Sequence, residues 1–256
     1  MKNIELHIPK NIRDLGGIVN KDGLMVKPRC FIRSCQLADL SVDDIYTLSD
    51  RYQIKTIIDL RNVHEIEEMP DKKIPHTKYY LLPLLRGRKE GITQDKESRH
   101  MDKVPNMCEL YKNMVASDFT RAQLNKTLKI IMNPKNSGVL FHCTVGKDRT
   151  GLLSLLILAM LNVDLDTIYE DFLYTNVVAQ KDADDAYEYM LSKTHNEEFA
   201  KEISDIYLAH REYLDSALEY IENHYGSIMD YVIYGLHISK RKIAKFQKNF
   251  LVKVER

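Results

Sequence analysis

Val139-Leu-Phe-His-Cys143-Thr-Val-Gly-Lys-Asp-Arg149-Thr-Gly-Leu-Leu153 is the stretch on which the fold turns. It reads as a short apolar strand over 139–142, a tight loop containing Gly146, and an apolar helix that begins at once after Arg149. A Cys followed after five residues by an Arg is a weak pattern alone; the strand, loop and helix around it sharpen it. Successive backbone N–H groups in such a loop converge, and the helix dipole adds partial positive charge, which makes an anion cradle. The backbone of Thr144, Val145, Gly146, Lys147 and Asp148 would line that cradle. Arg149 could fork two N–H donors onto two phosphate oxygens. The same field favours a thiolate at Cys143, and a thiolate beneath a bound phosphate is a nucleophile aimed at phosphorus. His142 could brace the loop, and the Thr150 hydroxyl could stabilise the thiolate as it leaves. The bland alternative for Cys143 is an inert core thiol. A nucleotide-binding P-loop would need Gly at 141, where Phe141 stands.

Outward from this stretch the order of elements is mixed α/β. Residues 11–23 carry turn chemistry, and short strands follow at Leu24–Val26 and Phe31–Arg33. Ser41-Val-Asp-Asp44 has the cap and first-turn carboxylate of a helix that runs to about Arg51, ahead of a strand over Ile54–Leu60. A β-rich run, Tyr79–Leu85, precedes a polar stretch at 86–103 that reads as a long loop or lid. Helical spacing resumes near Leu110, with Leu124, Leu128 and Ile131 on one face, and ends at Pro134 and Ser137-Gly138. Beyond Gly151 the chain reads as helices at 151–162, 165–178, 182–193, 197–225 and 239–251, with Gly226 stopping the fourth. The expected fold is α/β: a central, mostly parallel sheet flanked by helices, with the Cys loop between a strand and a helix. No repeat or linker interrupts 1–256, so one domain is expected, with an insertion at 86–103 and a helical part from about 165 to 256.

Composition excludes several classes. Lys+Arg 37 against Asp+Glu 37 gives zero net charge, which argues against a nucleic-acid binder. Cys30, Cys35, Cys108 and Cys143 form no C-x-x-C pair, so free thiols in a reducing compartment are the default. The nine histidines make no metal-ligand spacing, and neither metal nor other cofactor is expected. The N-terminus is too polar for a secretory segment, and the longest apolar stretch, Leu152–Leu161, is about half of what a bilayer requires. A soluble, cytoplasmic protein is the default expectation; export without a recognisable signal stays open, and the sequence gives no reading of oligomeric state.

His142-Cys-Thr-Val-Gly-Lys-Asp-Arg-Thr-Gly151 resembles the signature loop of cysteine-dependent tyrosine phosphatases. More narrowly, it is similar to a group of bacterial tyrosine and phosphoinositide phosphatases with Lys-Asp-Arg in that loop. Asn11-Ile-Arg-Asp-Leu-Gly-Gly17, Arg33-Ser34, Ile58-Asp-Leu-Arg61 with Glu65, Asp171-Phe-Leu-Tyr-Thr-Asn176, Tyr225-Gly-Ser227 and Tyr231 with Gly235 agree with the group in order. The resemblance thus runs from about residue 11 to residue 251 and is thinnest at 86–103. It implies a phosphomonoester hydrolase acting on phosphotyrosine proteins or phosphoinositides through a phosphocysteine.

Departure of the leaving oxygen calls for a proton donor, worth about 10²–10⁴-fold. The chain has no Trp and hence no Trp-Pro-Asp loop. Two carboxylates remain. Asp148 lies in the loop, where a bound phosphate dianion favours its protonated form; its alternative is a salt bridge that shapes the loop. Asp59, at the end of its strand, reaches the site if the two strands are neighbours; its alternative is a pair with Arg13, Arg33 or Arg61. The resemblance favours Asp148. It also suggests that Lys147 reads a multiply phosphorylated ring, against the plainer reading of a first-turn Lys in water. Arg61, Asn11, Arg13 and Asp14 are expected to support the site from behind.

Arg86, Arg88, Lys89, Lys96, Arg99 and Lys103 give the loop or lid at 86–103 a basic excess that could attract an anionic substrate. The last helix sets five cations around Ile243, Phe246 and Phe250, so membrane-surface contact is an open alternative to simple packing. Two other classes remain beside the hydrolase. One is a module that binds phosphotyrosine or phosphoinositide without turnover, and the other is a sulfurtransferase.

Overall fold

The computed structural model describes residues 2–7, 11–87, 104–136 and 138–254. The expected lid at 86–103 lies outside the described residues, apart from Arg86 and Gly87.

The central sheet has the strand order β1 (Lys2–Asn3), β2 (Arg13–Asp14), β4 (Phe31–Ser34), β7 (Val139–His142), β5 (Thr56–Asp59), β6 (Lys78–Leu81). Strands β4, β7, β5 and β6 are parallel, and β1 and β2 close one edge antiparallel, so the sheet is mostly parallel as expected. Every residue of β4, β5 and β7 is buried, as both faces of a parallel sheet are covered. A separate antiparallel pair joins β3 (Leu24–Val26) to β8 (Leu251–Lys253) near the chain's end.

Register decides where the site lies. Ser34 and Asp59 both sit opposite His142, so three parallel strands end on one line and Cys143 is the next residue out. Side-chain alternation splits the core in two. Ile32, Ile57 and Leu140 pack with Leu37, Leu40 and Leu48 on one face. Phe31, Ile58, Val139 and Phe141 pack into the larger cluster on the other.

The helices follow the chain as α1 (Val42–Tyr46), α2 (Val63–Glu68), α3 (Met107–Ala116), α4 (Asp118–Ile131), α5 (Asp148–Met160), α6 (Leu165–Leu173), α7 (Thr175–Thr194), α8 (Glu197–Asp205), α9 (Arg211–Tyr225), α10 (Ile228–Asp230) and α11 (Lys240–Phe250). Ser41 and Asp44 form the expected reciprocal cap, and a single wide turn, Thr47–Arg51, carries α1 to its anticipated end. Helix α5 is buried almost all round, so its apolar run makes it the central helix under the sheet. Gly226, at φ 88°, ends α9 in a conformation that other residues resist.

Helix boundaries depart from periodicity in two places. The helices anticipated at 165–178 and 182–193 are divided at Tyr174 instead. The single helix anticipated over 197–225 is two, parted at 206–210. There the backbone spends its hydrogen bonds on side chains: Lys147 takes the carbonyls of Ile206 and Leu208, and Asn176 brackets Ala209 through both its N–H and its C=O. Helix α11 buries Ile243, Phe246 and Phe250 against Phe31 and the end of α5, which is the packing alternative for its basic stripe. Among the described residues no helix is long and apolar enough to cross a membrane.

Candidate active site

The loop between β7 and α5 is set by its carbonyls. The Cys143 carbonyl lies 3.3 Å from His142 Nδ1, and that of Thr144 accepts from Gln36 N at 3.0 Å. The Val145 carbonyl accepts from Asn11 Nδ2 at 2.8 Å, and the Gly146 carbonyl from Arg33 Nη2 at 2.7 Å. All peptides here are trans, so each carbonyl held outward turns the next N–H to the opposite side. The N–H groups of residues 144–147 therefore face the interior of the loop together. Lys147 offers no side-chain cap to α5, which leaves the first amides of that helix free to join them. Gly146 adopts φ 73° and lies so close to β4 that a Cβ would fall 2.6 Å from the Ser34 carbonyl; a side chain there would push the loop off its support.

Cys143 sits buried at the base of this ring, and its Sγ accepts a hydrogen bond from Thr150 Oγ1 at 3.2 Å. Arg149 is held by Glu65, with Nη1 and Nη2 each 2.7 Å from one carboxylate oxygen. Glu65 is fixed in turn: Thr144 Oγ1 donates to Oε1 at 2.5 Å, and the Asn62 N–H donates to Oε2 at 2.9 Å as half of the cap of α2. Burial pushes the Glu65 carboxyl up, but Arg149 and Thr144 outweigh it and hold it below the usual range. Burial also pulls the Arg149 guanidinium down, and Cys143 and Glu65 reverse that, so it stays a cation. A guanidinium has five N–H donors; Glu65 occupies two and Thr144 Oγ1, 3.4 Å from Nη2, a third, which leaves two for an incoming oxyanion.

Asp148 opens α5 with a partly exposed side chain, 13%, and its Oδ1 accepts from the Tyr111 hydroxyl at 2.8 Å. Asp59 is sealed: it accepts from the Arg61 backbone and side chain and, at 2.7 Å, from the Tyr79 hydroxyl. Burial pushes the Asp59 carboxyl up, yet His142 and Arg61 more than reverse this and keep it far below the carboxylate range. The Asp59–Arg61 pair is the alternative anticipated for it.

Lys147 meets neither of its anticipated side-chain readings. Its Nζ is buried and donates to the carbonyls of Ile206 (2.5 Å) and Leu208 (3.0 Å), with Asp148 Oδ1 at 3.5 Å and the Tyr213 ring beside it. It therefore faces neither water nor a ligand; it ties the loop to the α8–α9 connection. Burial lowers its pKa, and Asp148 only partly offsets this.

Two ion networks support the loop from outside. On one flank Asp171 pairs with Arg13, Nε at 2.8 Å, and with Arg33, while Arg13 Nη1 also donates to Asn11 at 2.6 Å. Burial, with the neighbouring Arg33, pushes the Arg13 guanidinium down to about 10. Asp14 lies apart from this network and holds the turn at Gly16 and Arg29. On the other flank Asp71 pairs with Arg61 at 2.9 Å and lies 3.0 Å from His142 Nε2. Burial pulls the His142 ring down, but Asp59 and Asp71 together raise it above its ordinary value. Asp59, Asp71 and His142 bring three ligand-type atoms within 4.8 Å of one another, and both carboxylates are already paired with Arg61, at 2.8 Å and 2.9 Å.

Sequence reasoning missed Glu65 as the holder of Arg149, together with Asp71 and Tyr111. The Asn62-x-x-Glu65 spacing signals the reciprocal helix cap of Glu65 but not its hold on Arg149; Asp71 and Tyr111 sit in no local pattern.

A model of the tyrosine phosphatase family matches residues 4–252. A protein of Cupriavidus necator, provisionally named a tyrosine-protein phosphatase, is 29% identical over 171 residues, which is 65% of this chain and 60% of the relative. The chain thus spans about 60% of the length of the curated relative it matches. Among solved structures, the Siw14 catalytic core aligns with a TM-score of 0.39 and 20% identity over 80% of this chain and 95% of that one. TpbA of P. aeruginosa aligns with a TM-score of 0.32 and 15% identity over 73% of this chain and 94% of its own.

Proposed function

The chain belongs to the tyrosine phosphatase family, and from that premise we propose that it hydrolyses phosphomonoesters through a phosphocysteine at Cys143. The observation that carries this reading is that the carbonyls of residues 143–146, between Cys143 and Arg149, are each met by a group of the protein. In the first step the Cys143 thiolate attacks phosphorus in line with the leaving oxygen. Arg149 and the amides of 144–148 hold the three equatorial oxygens, where charge grows in the transition state. Asp148 gives its proton to the leaving oxygen. In the second step Asp148, now a carboxylate, takes a proton from the water that attacks the phosphocysteine. The Thr150 hydroxyl, 3.2 Å from Sγ, stabilises the departing thiolate. Residues 1–256 act as one catalytic domain, a reading supported by the span of the family match.

Phosphotyrosine in proteins is the favoured substrate class over phosphoinositides. Lys147 and the basic stretch at 86–103 carried the phosphoinositide reading; the charge of Lys147 is committed to two backbone carbonyls, and 88–103 lie outside the described residues. The test is phosphate release from a phosphotyrosine peptide and from soluble short-chain phosphoinositides, side by side, with chelator present and Cys143→Ser as the blank. The peptide should be the better substrate, and Cys143→Ser should bind phosphate but release none. Turnover by Cys143→Ser overturns the mechanism, and faster release from the lipids overturns the substrate class.

A further inference from the structure

We propose that the outer face of α11, continued by Lys253 and Lys27, is a docking surface for an anionic lipid bilayer and holds the protein there by charge alone. The inference stands apart from the hydrolase reading and does not depend on it.

Helix α11 carries Lys240, Arg241, Lys242, Lys245 and Lys248, all of them exposed, and no acidic residue. At 3.6 residues per turn, Lys240, Arg241, Ala244, Lys245 and Lys248 share one arc of about 140°, with Lys242 on its flank. Ile243, Phe246 and Phe250 lie opposite and are buried. Packing thus uses the apolar face and turns the cations away from the protein. The surface continues past the helix. Lys253, on β8, is exposed, and so is Lys27, whose N–H donates to the Phe250 carbonyl at 2.8 Å. None of these cations makes an ion pair among the described residues.

Such a helix is arranged against its own stability. Cations fill the first turn, where the dipole is positive and carboxylates belong, and Ser239 supplies no side-chain cap to offset them. Arg241 and Lys245 are four residues apart, and Lys242, Lys245 and Lys248 follow at intervals of three, so like charges meet on one face. Local rules broken without a compensating partner in the chain mark a functional surface. The chain as a whole has zero net charge, so this end is a local concentration and not part of a general basic excess.

The shape of the surface selects the partner. The cations splay along a convex ridge about 16 Å long, so they do not converge on a small anion, whereas a plane of charge meets the whole ridge at once. The arc offers no amide or aromatic side chain to read a base; Gln247 and Asn249 are half-buried at its sides. Because the phenylalanines are committed to the core, attachment is by charge at the headgroups and not by insertion. Phe246 and Phe250 pack on Phe31, the first residue of β4, and Gln247 Nε2 donates to the carbonyl of Met160, the last residue of α5, at 2.8 Å. The Cys143 loop lies at the other end of both elements, so docking leaves the site uncovered.

The test sediments the full chain with vesicles of phosphatidylcholine alone and of phosphatidylcholine with phosphatidylglycerol, at low and at high salt. Binding to the anionic vesicles is expected at low salt and is lost at high salt; the neutral vesicles should bind none. Each Lys or Arg beside an anionic bilayer raises partitioning about fivefold. Arg241→Glu, Lys245→Glu and Lys248→Glu together should therefore weaken binding by more than about a hundredfold, with turnover of a soluble aryl phosphate unchanged. Arg241→Gln, Lys245→Gln and Lys248→Gln together remove the charge without reversing it and should also lose most of the binding. Lys126→Glu, Lys129→Glu and Lys201→Glu together make the same change of net charge at exposed positions of α4 and α8 and should keep most of it. Equal binding to neutral vesicles overturns the proposal, as does equal loss in the two triple Glu variants. Tighter binding to a duplex oligonucleotide than to the anionic vesicles overturns it as well.

Discussion

The inner and outer sides of the 143–149 loop carry similar residue types and use them in opposite ways. Outside, Asp171 is shared between Arg13 and Arg33, and Asp59 and Asp71 share Arg61 and His142, all nearly closed to water. Most of their donors and acceptors are spent on one another and on loop carbonyls; Arg33 Nε, Asp71 Oδ2 and His142 Nε2 are buried without a hydrogen-bond partner. Inside, Arg149 keeps donors beyond those given to Glu65 and Thr144, and Asp148 keeps some exposure. The lesson is that burial and pairing hold the loop's shape, whereas spare hydrogen-bonding capacity performs the chemistry. Asp59 and Asp148 looked alike as carboxylates near a strand end and a helix start; what separates them is which of the two is already satisfied.

Substitutions on the two sides should therefore fail differently. The largest effect is expected for Arg149→Lys, which keeps the charge but loses the fork. A fall in kcat of about 10³–10⁵ is expected, the scale of an arginine acting on a phosphoryl-transfer transition state; steady-state turnover of an aryl phosphate reads it. Next is Asp148→Asn, where kcat should drop about 10²–10⁴-fold for phosphotyrosine. The drop should be far smaller for an aryl phosphate with a strongly acidic leaving group, and equal losses on both would remove Asp148 from the acid role.

On the outer side, Asp171→Ala strands two buried guanidinium groups and should cost about 3–5 kcal/mol of stability in urea unfolding. An unchanged midpoint would mean that the pairing carries no structural weight. Tyr111→Phe removes one donor from the Asp148 carboxylate, a charged-group hydrogen bond worth about 1.5–3 kcal/mol. Its expected signature is a kcat for phosphotyrosine lowered by about tenfold with Asp148 itself intact, because the hydroxyl that positions that carboxylate is gone. The smallest effect concerns pH and stability. His142 is raised in the folded state, so its contribution is complete below the unfolded pKa of about 6.5 and is lost as pH rises through the folded value. Asp59, Glu65 and Asp171 are lowered, so theirs is present above about pH 4 and is lost as pH falls. Denaturant midpoints should decline on both sides of a maximum, and His142→Gln should flatten the alkaline side.

Much of this was legible in the chain because it is local. The strand into Cys143, the glycine in the loop and Thr150 seven residues on lie within one short window, and local periodicity and spacing report such windows well. The sheet's parallel centre followed from short, continuously apolar strands alternating with helices. Glu65 lies far from Arg149 in sequence, and the spacing that makes it a cap says nothing of the guanidinium it also holds. Lys147 was misjudged in direction because a lysine at a helix start usually faces water, and the carbonyls that capture it belong to a break between α8 and α9 that periodicity could not show. Tyr111 sits in no local pattern; it is buried, and only the tertiary contact reveals its hydroxyl on Asp148.

The most direct measurement mixes the protein rapidly with a phosphotyrosine peptide, quenches with acid, and maps phosphorus by mass across the peptides. The account predicts phosphate bound covalently to Cys143 within the 139–149 segment, and more of it in Asp148→Asn with an activated aryl phosphate, where attack of water on the intermediate is slowed. Turnover with no phosphate on Cys143, or phosphate on any other residue, would contradict it.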